Sequence, residues 1–203
     1  GCAPYVGVKE MEKQGHFPSY IYRGYKTDIY EGGHRIPLIV SWKGKFSNET
    51  NNSLVSLTDF YATFAQMVNH KLKDEEAVDS YSIWPILSKQ GASNRKDLVY
   101  ESGKGYLSLR TPQLKLVFNG GSGGWGYPNK PADLAQLPPM QLFNLKEDPS
   151  EKENIIHDKC YEQEVKEMTQ LIRKYVKEGR STPGAEVAND TENDWKQVNI
   201  FMQ

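Results

Sequence analysis

Two short alternating runs, YLSLR and LKLVFN, meet across Thr111-Pro112-Gln113, and they constrain this chain more than any other feature. Period-2 alternation sends successive side chains to opposite faces of a strand. Two such runs across a short proline-containing turn predict a β-hairpin. Leu107 and Leu109 then share one face, and Leu114, Leu116 and Phe118 answer them from the partner strand. DLVYES before the hairpin and MQLFNL after it read as two further strands. KCYEQEVKEMTQLIRKYVKEG places Tyr161, Val165, Met168, Ile172 and Tyr175 on one helical stripe, with Gly179 as its stop. Strands followed by a helix that covers them make an α+β unit.

The earlier part of the chain has a different character. Residues 1–24 are polar, aromatic and loop-like, with turn signals at Pro4, Gly7, Gly15 and Pro18. IPLIVSW (residues 36–42) is short, β-branched and apolar on both faces, which predicts a buried strand of a helix-covered parallel sheet. SLTDFYATFAQMVNH spaces Leu57, Phe60, Tyr61, Phe64, Met67 and Val68 as one helical face, with Ser56 or Thr58 to cap it. DSYSIWPILSK reads as a short helical turn that packs Tyr81, Trp84 and Leu87. Residues 91–96 turn polar, which sets a boundary between residues 1–92 and 93–203. The expected fold class is an α/β portion followed by an α+β subdomain, a small antiparallel sheet with a packed C-terminal helix. Beyond Arg180 periodicity is lost, although Trp195, Val198, Ile200 and Phe201 offer docking groups.

Charge is nearly balanced, at −1 over 203 residues, so no global field favours nucleic acid or an anionic membrane. No run approaches the roughly 20 apolar residues of a membrane helix. Cys2 and Cys160 exclude a dense disulfide scaffold and a four-cysteine zinc site, and they are expected to be unpaired. Sequons occur at Asn48, Asn51 and Asn189 and matter only in a eukaryotic secretory protein. The opening GCAPYVG has neither an initiator methionine nor a signal pattern, and it reads as a fragment or a processed protein.

The densest candidate chemistry lies in YKTDIYEGGHRIPLIV. Lys26 is either a solvated surface lysine or a point charge for an anion. His34 is either a proton donor near neutrality or a histidine hydrogen-bonded to a neighbouring loop. Arg35 reads as a structural ion pair with Glu31 or Asp28. Gly32-Gly33 permits unusual backbone angles or a close approach of another segment. NGGSGGWGYPNKP lacks the Gly-Lys-Ser/Thr ending of a phosphate loop. It is either disordered or a wall displaying Trp125 and Tyr127, where Trp125 would suit a sugar face. The four histidines, His16, His34, His70 and His157, are far apart in sequence and form no dense metal-ligand motif.

In order, these segments resemble the C-terminal part of a type I sulfatase of the alkaline-phosphatase-like superfamily. GYKTDIYEGGHRIPLIVSWKGK resembles the G-x-K-x-x-x-Y-E-G-G-x-R-x-P block. NNSLVSLTDFYATFAQMV resembles V-S-x-x-D-x-x-P-T, and DSYSIWPIL resembles D-G-x-S-L-x-P-L-L. LSLRTPQLKLVFN resembles the A-x-R-x-x-x-W-K-L hairpin, and MQLFNLKEDPSEKENI resembles L-Y-D-L-x-x-D-P-x-E-x-x-N-L. The chain departs from the pattern at Lys43, Ala62, Ser80-Tyr81 and Gln113-Leu114, all turn or packing positions. Cys2-Ala3-Pro4 mimics the start of the C-x-P-S-R site of formylglycine, but Tyr5 and Val6 replace the required Ser and Arg, so Cys2 is rejected as a nucleophile.

The resemblance implies a parent enzyme that hydrolyses sulfate esters of carbohydrates or aryl groups. It implies that the formylglycine, the calcium ligands and the catalytic histidines lie upstream, with no metal site in this chain and no activity in the chain by itself. Gly1 would then be the glycine of a D-N-G motif. The block's lysine contacts sulfate in the family and maps onto Lys26, while His34 and His16 become substrate-rim candidates. The implied partners are a sulfated small molecule or glycan and the missing N-terminal part, or self-association in its absence, with no nucleic acid and no membrane. The implied location is periplasmic or secreted. Two alternatives stay open: a non-catalytic sulfatase-like glycan-binding module, and a related phosphate or phosphonate ester hydrolase.

Overall fold

A computed structural model describes residues 1–188 and 196–202; the Asn189 sequon and Trp195 lie outside the described residues. In chain order the elements are α1 (Val8–Lys13), α2 (Glu31–His34), α3 (Asp59–Met67), α4 (Trp84–Leu87), β1 (Leu98–Glu101), β2 (Leu107–Arg110), β3 (Leu114–Val117), α5 (Pro131–Leu134), β4 (Gln141–Asn144), α6 (Glu162–Glu178) and α7 (Asn199–Met202). They fall into two compact units. One contains Gly1–Pro37, Val99–Gln170 and residues 196–202, and the other Leu38–Leu98 and residues 171–188.

The first unit is built on a four-stranded sheet in the order β1-β2-β3-β4. The hairpin forms as its alternation predicts, with Leu109 opposite Leu116 and Arg110 opposite Lys115. Strand β4 pairs antiparallel to β3, with Leu142 opposite Leu116 and Phe143 opposite Lys115. On the leucine side, Phe118 meets Phe201 of α7 at 4.4 Å between ring centroids. On the other side, Val117, Phe143 and Leu145 join Ile29 and Tyr30 in a core flanked by Tyr100. That second face also buries Ser108, Arg110 and Lys115. This face is covered, and the covering segment supplies a counter-charge in Glu31.

The second unit is held by one carboxylate. Asp59, fully buried at the start of α3, accepts the N–H groups of Ser56 (2.8 Å) and Tyr81 (2.9 Å). The same carboxylate accepts from the Arg95 guanidinium, whose Nε lies 2.9 Å away. Neither Ser56 nor Thr58 caps the helix with its side chain; the helix's own first carboxylate reaches back instead. Thr63 donates to the Asp59 carbonyl (2.6 Å) and accepts the Ile83 N–H (3.0 Å), while the Ser80 hydroxyl accepts the Ala62 N–H (2.9 Å). The inward face of α3 is therefore Asp59, Ala62, Thr63 and Ala65. The stripe predicted to face the core is exposed instead, at Leu57, Tyr61, Phe64 and Val68.

Residues 36–42 also differ from expectation. They form no ladder, and Ile36, Leu38, Ile39, Val40 and Trp42 are exposed, Ile39 at 88%. A strand needs a neighbour to take its backbone N–H and C=O groups, and none of the described strands pairs with this segment. Trp42 instead packs against Phe46 and Trp84 at 5.8 and 6.2 Å. The tail of the second unit is fastened by Arg180, which donates to the carbonyls of Thr182 (2.9 Å) and Ala185 (2.9 Å). Gly179, at φ 65°, ends α6 in the left-handed region that favours glycine.

Removing Asp59 leaves Arg95 buried without its counter-charge. Asp59→Ala should destabilise the second unit by ~3–5 kcal/mol in urea titrations followed by tryptophan fluorescence. Adding Arg95→Met should recover a large part of that loss. A single-variant effect below ~1 kcal/mol would show that this ion pair is not the anchor.

Candidate functional site

The YKTDIYEGGH segment is a turn folded back onto a single helical turn. Glu31 opens α2, and its N–H donates to the Glu151 carboxylate at 2.6 Å. The Gly32 N–H donates to the Arg23 carbonyl (2.7 Å) and the Gly33 N–H to the Tyr30 carbonyl (2.8 Å). The glycine pair is needed for this closure. A Cβ on Gly32 would sit 2.3 Å from the Gly24 carbonyl oxygen, and one on Gly33 only 2.1 Å from that of Asp28. Both contacts are with backbone, which cannot swing away as a flexible side chain would.

Beneath the helical turn lies a charged cluster. Lys115, fully buried on β3, contacts Glu31 Oε1 at 3.3 Å and Glu151 Oε1 at 2.9 Å. Arg110 reaches Glu31 at 3.2 Å, and Arg35 pairs with it at 2.8 Å, as the charge spacing predicts. Burial alone would raise the Glu31 carboxyl, but Lys115, Arg110 and the Arg35 hydrogen bond outweigh it and hold it below the usual range. For Glu151 burial wins over Lys115, and its carboxyl is pushed up.

Lys26 is exposed at the apex of the turn, with no ion pair among the described residues. Its backbone is fixed: the Lys26 N–H donates to the Cys2 carbonyl at 2.9 Å. Two residues on, the buried Asp28 carboxylate accepts from Tyr25 N–H (2.9 Å) and from Gly126 N–H (2.8 Å). Thr27, at φ 81°, accepts the Trp125 N–H at 3.1 Å. The glycine-rich loop is therefore an ordered wall. A Cβ on Gly124 or Gly126 would collide with Thr27 and Asp28, at 2.5 and 2.2 Å. The Ile29 N–H donates to the Ser122 carbonyl (2.8 Å), and the Ser122 hydroxyl to that of Gly126 (2.6 Å). Trp125 and Tyr127 stand exposed on this wall.

Lys26 and Trp125 are thus joined through one turn. His34 belongs to the same turn but is packed: its ring stacks on Tyr100 at 4.5 Å with planes 12° apart. Burial, then the charge of Lys115, pulls its pKa down to about 4, so it is neutral at neutral pH. Its Nε2 is enclosed without a hydrogen-bond partner. His16 is exposed after α1, and its imidazole has no ion pair or hydrogen bond among the described residues. Cys2 and Cys160 are free thiols. Among the described residues no group of three or more His, Cys, Asp or Glu side chains is placed to hold a metal ion, and both Asp28 oxygens already accept backbone N–H groups.

Sequence reasoning passed over Glu151 and Lys115, which position the turn, and gave Asp28 only as a possible partner of Arg35. Glu151 lay inside the EDPSEKENI block and carries φ 52°, but nothing in sequence announced its 120-residue reach to Glu31. The His34 state has a pH signature. A histidine whose folded pKa is below its unfolded value leaves more protons bound in the unfolded chain, so stability falls as pH drops from about 6.5 toward about 4. Relative to His34→Gln, the natural chain should lose on the order of 2 kcal/mol across that window. Glu151, with its raised pKa, changes stability in the opposite sense there and is common to both proteins. Parallel stability curves for the two would contradict the buried neutral imidazole.

Comparison with known proteins identifies the family of the segment that carries this turn. The Sulfatase family model matches residues 12–70, which contain Lys26, Asp28, the glycine pair and His34. The chain is 31% identical, over 158 residues, to the N-acetylgalactosamine-6-O-sulfatase of Bacteroides thetaiotaomicron, covering 78% of this chain and 30% of that protein. It is 28% identical to human arylsulfatase A, covering 64% of this chain and 28% of that one. A solved Bacteroides thetaiotaomicron structure, reported in connection with metabolism of multiple glycosaminoglycans, superposes with a TM-score of 0.69 at 28% identity. That likeness covers 84% of this chain and 35% of the other. The chain thus spans about a third of the length of these relatives, and its four-stranded antiparallel sheet with a C-terminal helix is that of the sulfatase C-terminal subdomain. It matches a region of these sulfatases and belongs to the sulfatase family.

Proposed function

We propose that the protein containing this chain hydrolyses sulfate esters of carbohydrates, with Lys26 as a contact to the sulfate group. The observation that supports this most is an exposed ammonium, with no ion pair among the described residues, on a turn whose backbone N–H groups are taken by Cys2 and Asp28 and whose Thr27 hydroxyl receives the Trp125 N–H. A lysine carried on such a turn approaches an anion with little reorganisation of its backbone, and charge placed in advance is the most effective kind. As sulfate leaves an ester oxygen, negative charge builds on the departing group and on the sulfate oxygens, and a fixed cation stabilises that change. Trp125, His16 and His34 are the substrate-rim candidates; of these only Trp125 presents an exposed surface tied directly to the Lys26 turn.

On this reading the nucleophile, a formylglycine, and the calcium ligands come from the rest of the protein, and the chain alone is inactive. The rest of the protein also covers the apolar residues left open at 36–42 and along α3; without it, those faces favour self-association. Export to the periplasm or outside the cell follows from the same kinship. The alternative readings are a non-catalytic sulfatase-like glycan-binding module and an ester hydrolase acting on phosphate or phosphonate.

In the full-length protein, Lys26→Ala should lower turnover of a sulfated sugar by ~10²-fold or more, as loss of a transition-state charge contact does. Unchanged kinetics would remove Lys26 from the site. Calcium-dependent hydrolysis of an aryl sulfate by the 203-residue chain alone would overturn the claim of inactivity.

A further inference from the structure

Tyr5 and Trp125 are 120 residues apart in sequence yet lie side by side, with ring centroids 5.5 Å apart and planes tilted by 55°. Both remain open to solvent, at 72% and 51% exposure, and Tyr127, two residues after Trp125, is 76% exposed. At that tilt the two rings make an open corner and leave faces uncovered, where a parallel stack would hide them. An open aromatic pair is a surface that the apolar face of a sugar ring can cover.

The pair is held in place. The Trp125 N–H donates to Thr27, its carbonyl accepts from the Asn129 amide at 2.6 Å, and the next N–H, of Gly126, is fixed by Asp28. Tyr5 sits in a turn closed by the Val6 N–H on the Ala3 carbonyl (3.2 Å), one residue after Cys2, whose carbonyl holds the Lys26 N–H. Trp125 is therefore tied directly to Thr27, and Tyr5 belongs to the segment whose Cys2 carbonyl holds the Lys26 N–H.

We propose that Tyr5 and Trp125 form a shelf for the pyranose ring of a sulfated sugar whose sulfate reaches Lys26, which makes them specificity-determining residues for carbohydrate over aryl esters. The inference rests on the sulfate-contact reading of Lys26. A pyranose carries an apolar C–H face edged by hydroxyls, and its puckered outline fits an angled pair of rings better than a flat aryl group, which stacks on one ring alone. The Tyr5 hydroxyl supplies a donor and acceptor for the sugar's own hydroxyls. The preset geometry of both rings lowers the ordering cost of binding.

The test uses the full-length protein, with its nucleophile replaced by alanine so that probes bind without turnover, and four probes: galactose 6-sulfate, galactose, p-nitrophenyl sulfate and sodium sulfate. The readout is the Trp125 indole N–H resonance, assigned by its loss in Trp125→Phe. Galactose 6-sulfate should shift it saturably and bind at least about 5-fold more tightly than galactose or sodium sulfate, the gain expected of an aromatic contact added to a charge contact. Tyr5→Leu and Trp125→Leu should each weaken galactose 6-sulfate about 5-fold while leaving sodium sulfate unchanged. Trp125→Phe, which keeps a ring, should retain most of the affinity and so separates lost stacking from a misfolded loop. If both leucine variants bind galactose 6-sulfate as the natural chain does, and Lys26→Ala abolishes binding, the shelf is wrong and the Lys26 reading stands. If Lys26→Ala leaves galactose 6-sulfate affinity intact and galactose binds equally well, the sulfate-contact reading fails, and the shelf's link to Lys26 with it. p-Nitrophenyl sulfate bound as tightly as the sulfated sugar, and equally dependent on Tyr5, would overturn the preference for a pyranose.

Discussion

Lys115 holds a full charge on a sheet face with no exposure to water, between two carboxylates from segments before and after it in sequence. A buried ion is tolerated only where its partners are close and themselves satisfied. Here Glu31 is shared with Arg110 and Arg35, and Glu151 also takes the first N–H of α2. The Arg23 guanidinium donates to the Glu151 carbonyl at 2.8 Å and lies over the Tyr30 ring, its central carbon 3.9 Å from the ring centre. One lysine on β3 therefore fixes where α2 begins, how the 151 turn closes and which way the chain enters from Arg23. The two acids titrate in opposite directions because they divide the cations unequally. Glu31 faces three positive groups, while Glu151 has Lys115 and is otherwise dominated by burial.

With α2 locked, the residues before it have few conformations left. Gly32 and Gly33 lie against the carbonyls of Gly24 and Asp28, so the 24–30 segment is pressed into a single shape. Asp28 then exports that shape. Its carboxylate is completely buried and spends one oxygen on its own turn and the other on Gly126, converting a local bend into a docking point for a loop almost a hundred residues away. Rigidity passes from a buried charge cluster to an exposed lysine and an exposed tryptophan through backbone hydrogen bonds. That is what preorganisation requires, since groups fixed before a ligand arrives lose little freedom when it binds.

The hairpin, the following strand and the long amphipathic helix were legible in sequence because their signals are local: alternation across Thr111-Pro112, a 3.6-residue stripe ending at Gly179. The ion pair of Arg35 with Glu31 was legible for the same reason, being four residues apart on one turn. Lys115 was not. Within LKLVFN it reads as the solvated member of an alternating strand, and only the segment packed over that face reverses its meaning. Asp28 looked like one more charge in a polar turn, and the glycine-rich loop was balanced between disorder and wall. What decided it is a close approach of two backbones, visible in sequence only as glycines. His34 left two chemistries open at neutral pH, and stacking on Tyr100 beside a buried cation settles its protonation state through burial, which a sequence does not record.

Helix α3 shows the same limit in reverse. Its periodic pattern was correctly located, yet the stripe of Tyr61, Phe64 and Val68 faces outward while Asp59, Ala62, Thr63 and Ala65 face in. The inward face is small and polar because it is joined by hydrogen bonds: Asp59 to Arg95 and Tyr81, Thr63 to Ile83, Ala62 to Ser80. Small residues admit close backbone approach, and each buried polar group on that face has a partner, so the face needs little apolar area to be stable. The apolar stripe is then free for another surface. Residues 36–42 make the same point, with a continuous β-branched run of the kind that sits in a sheet covered on both faces. Periodicity reports that a face is written for burial; it does not report which body buries it. In a chain that spans about a third of its relatives' length, the strongest apolar periodicity of a helix need not point at the neighbours it has within the chain.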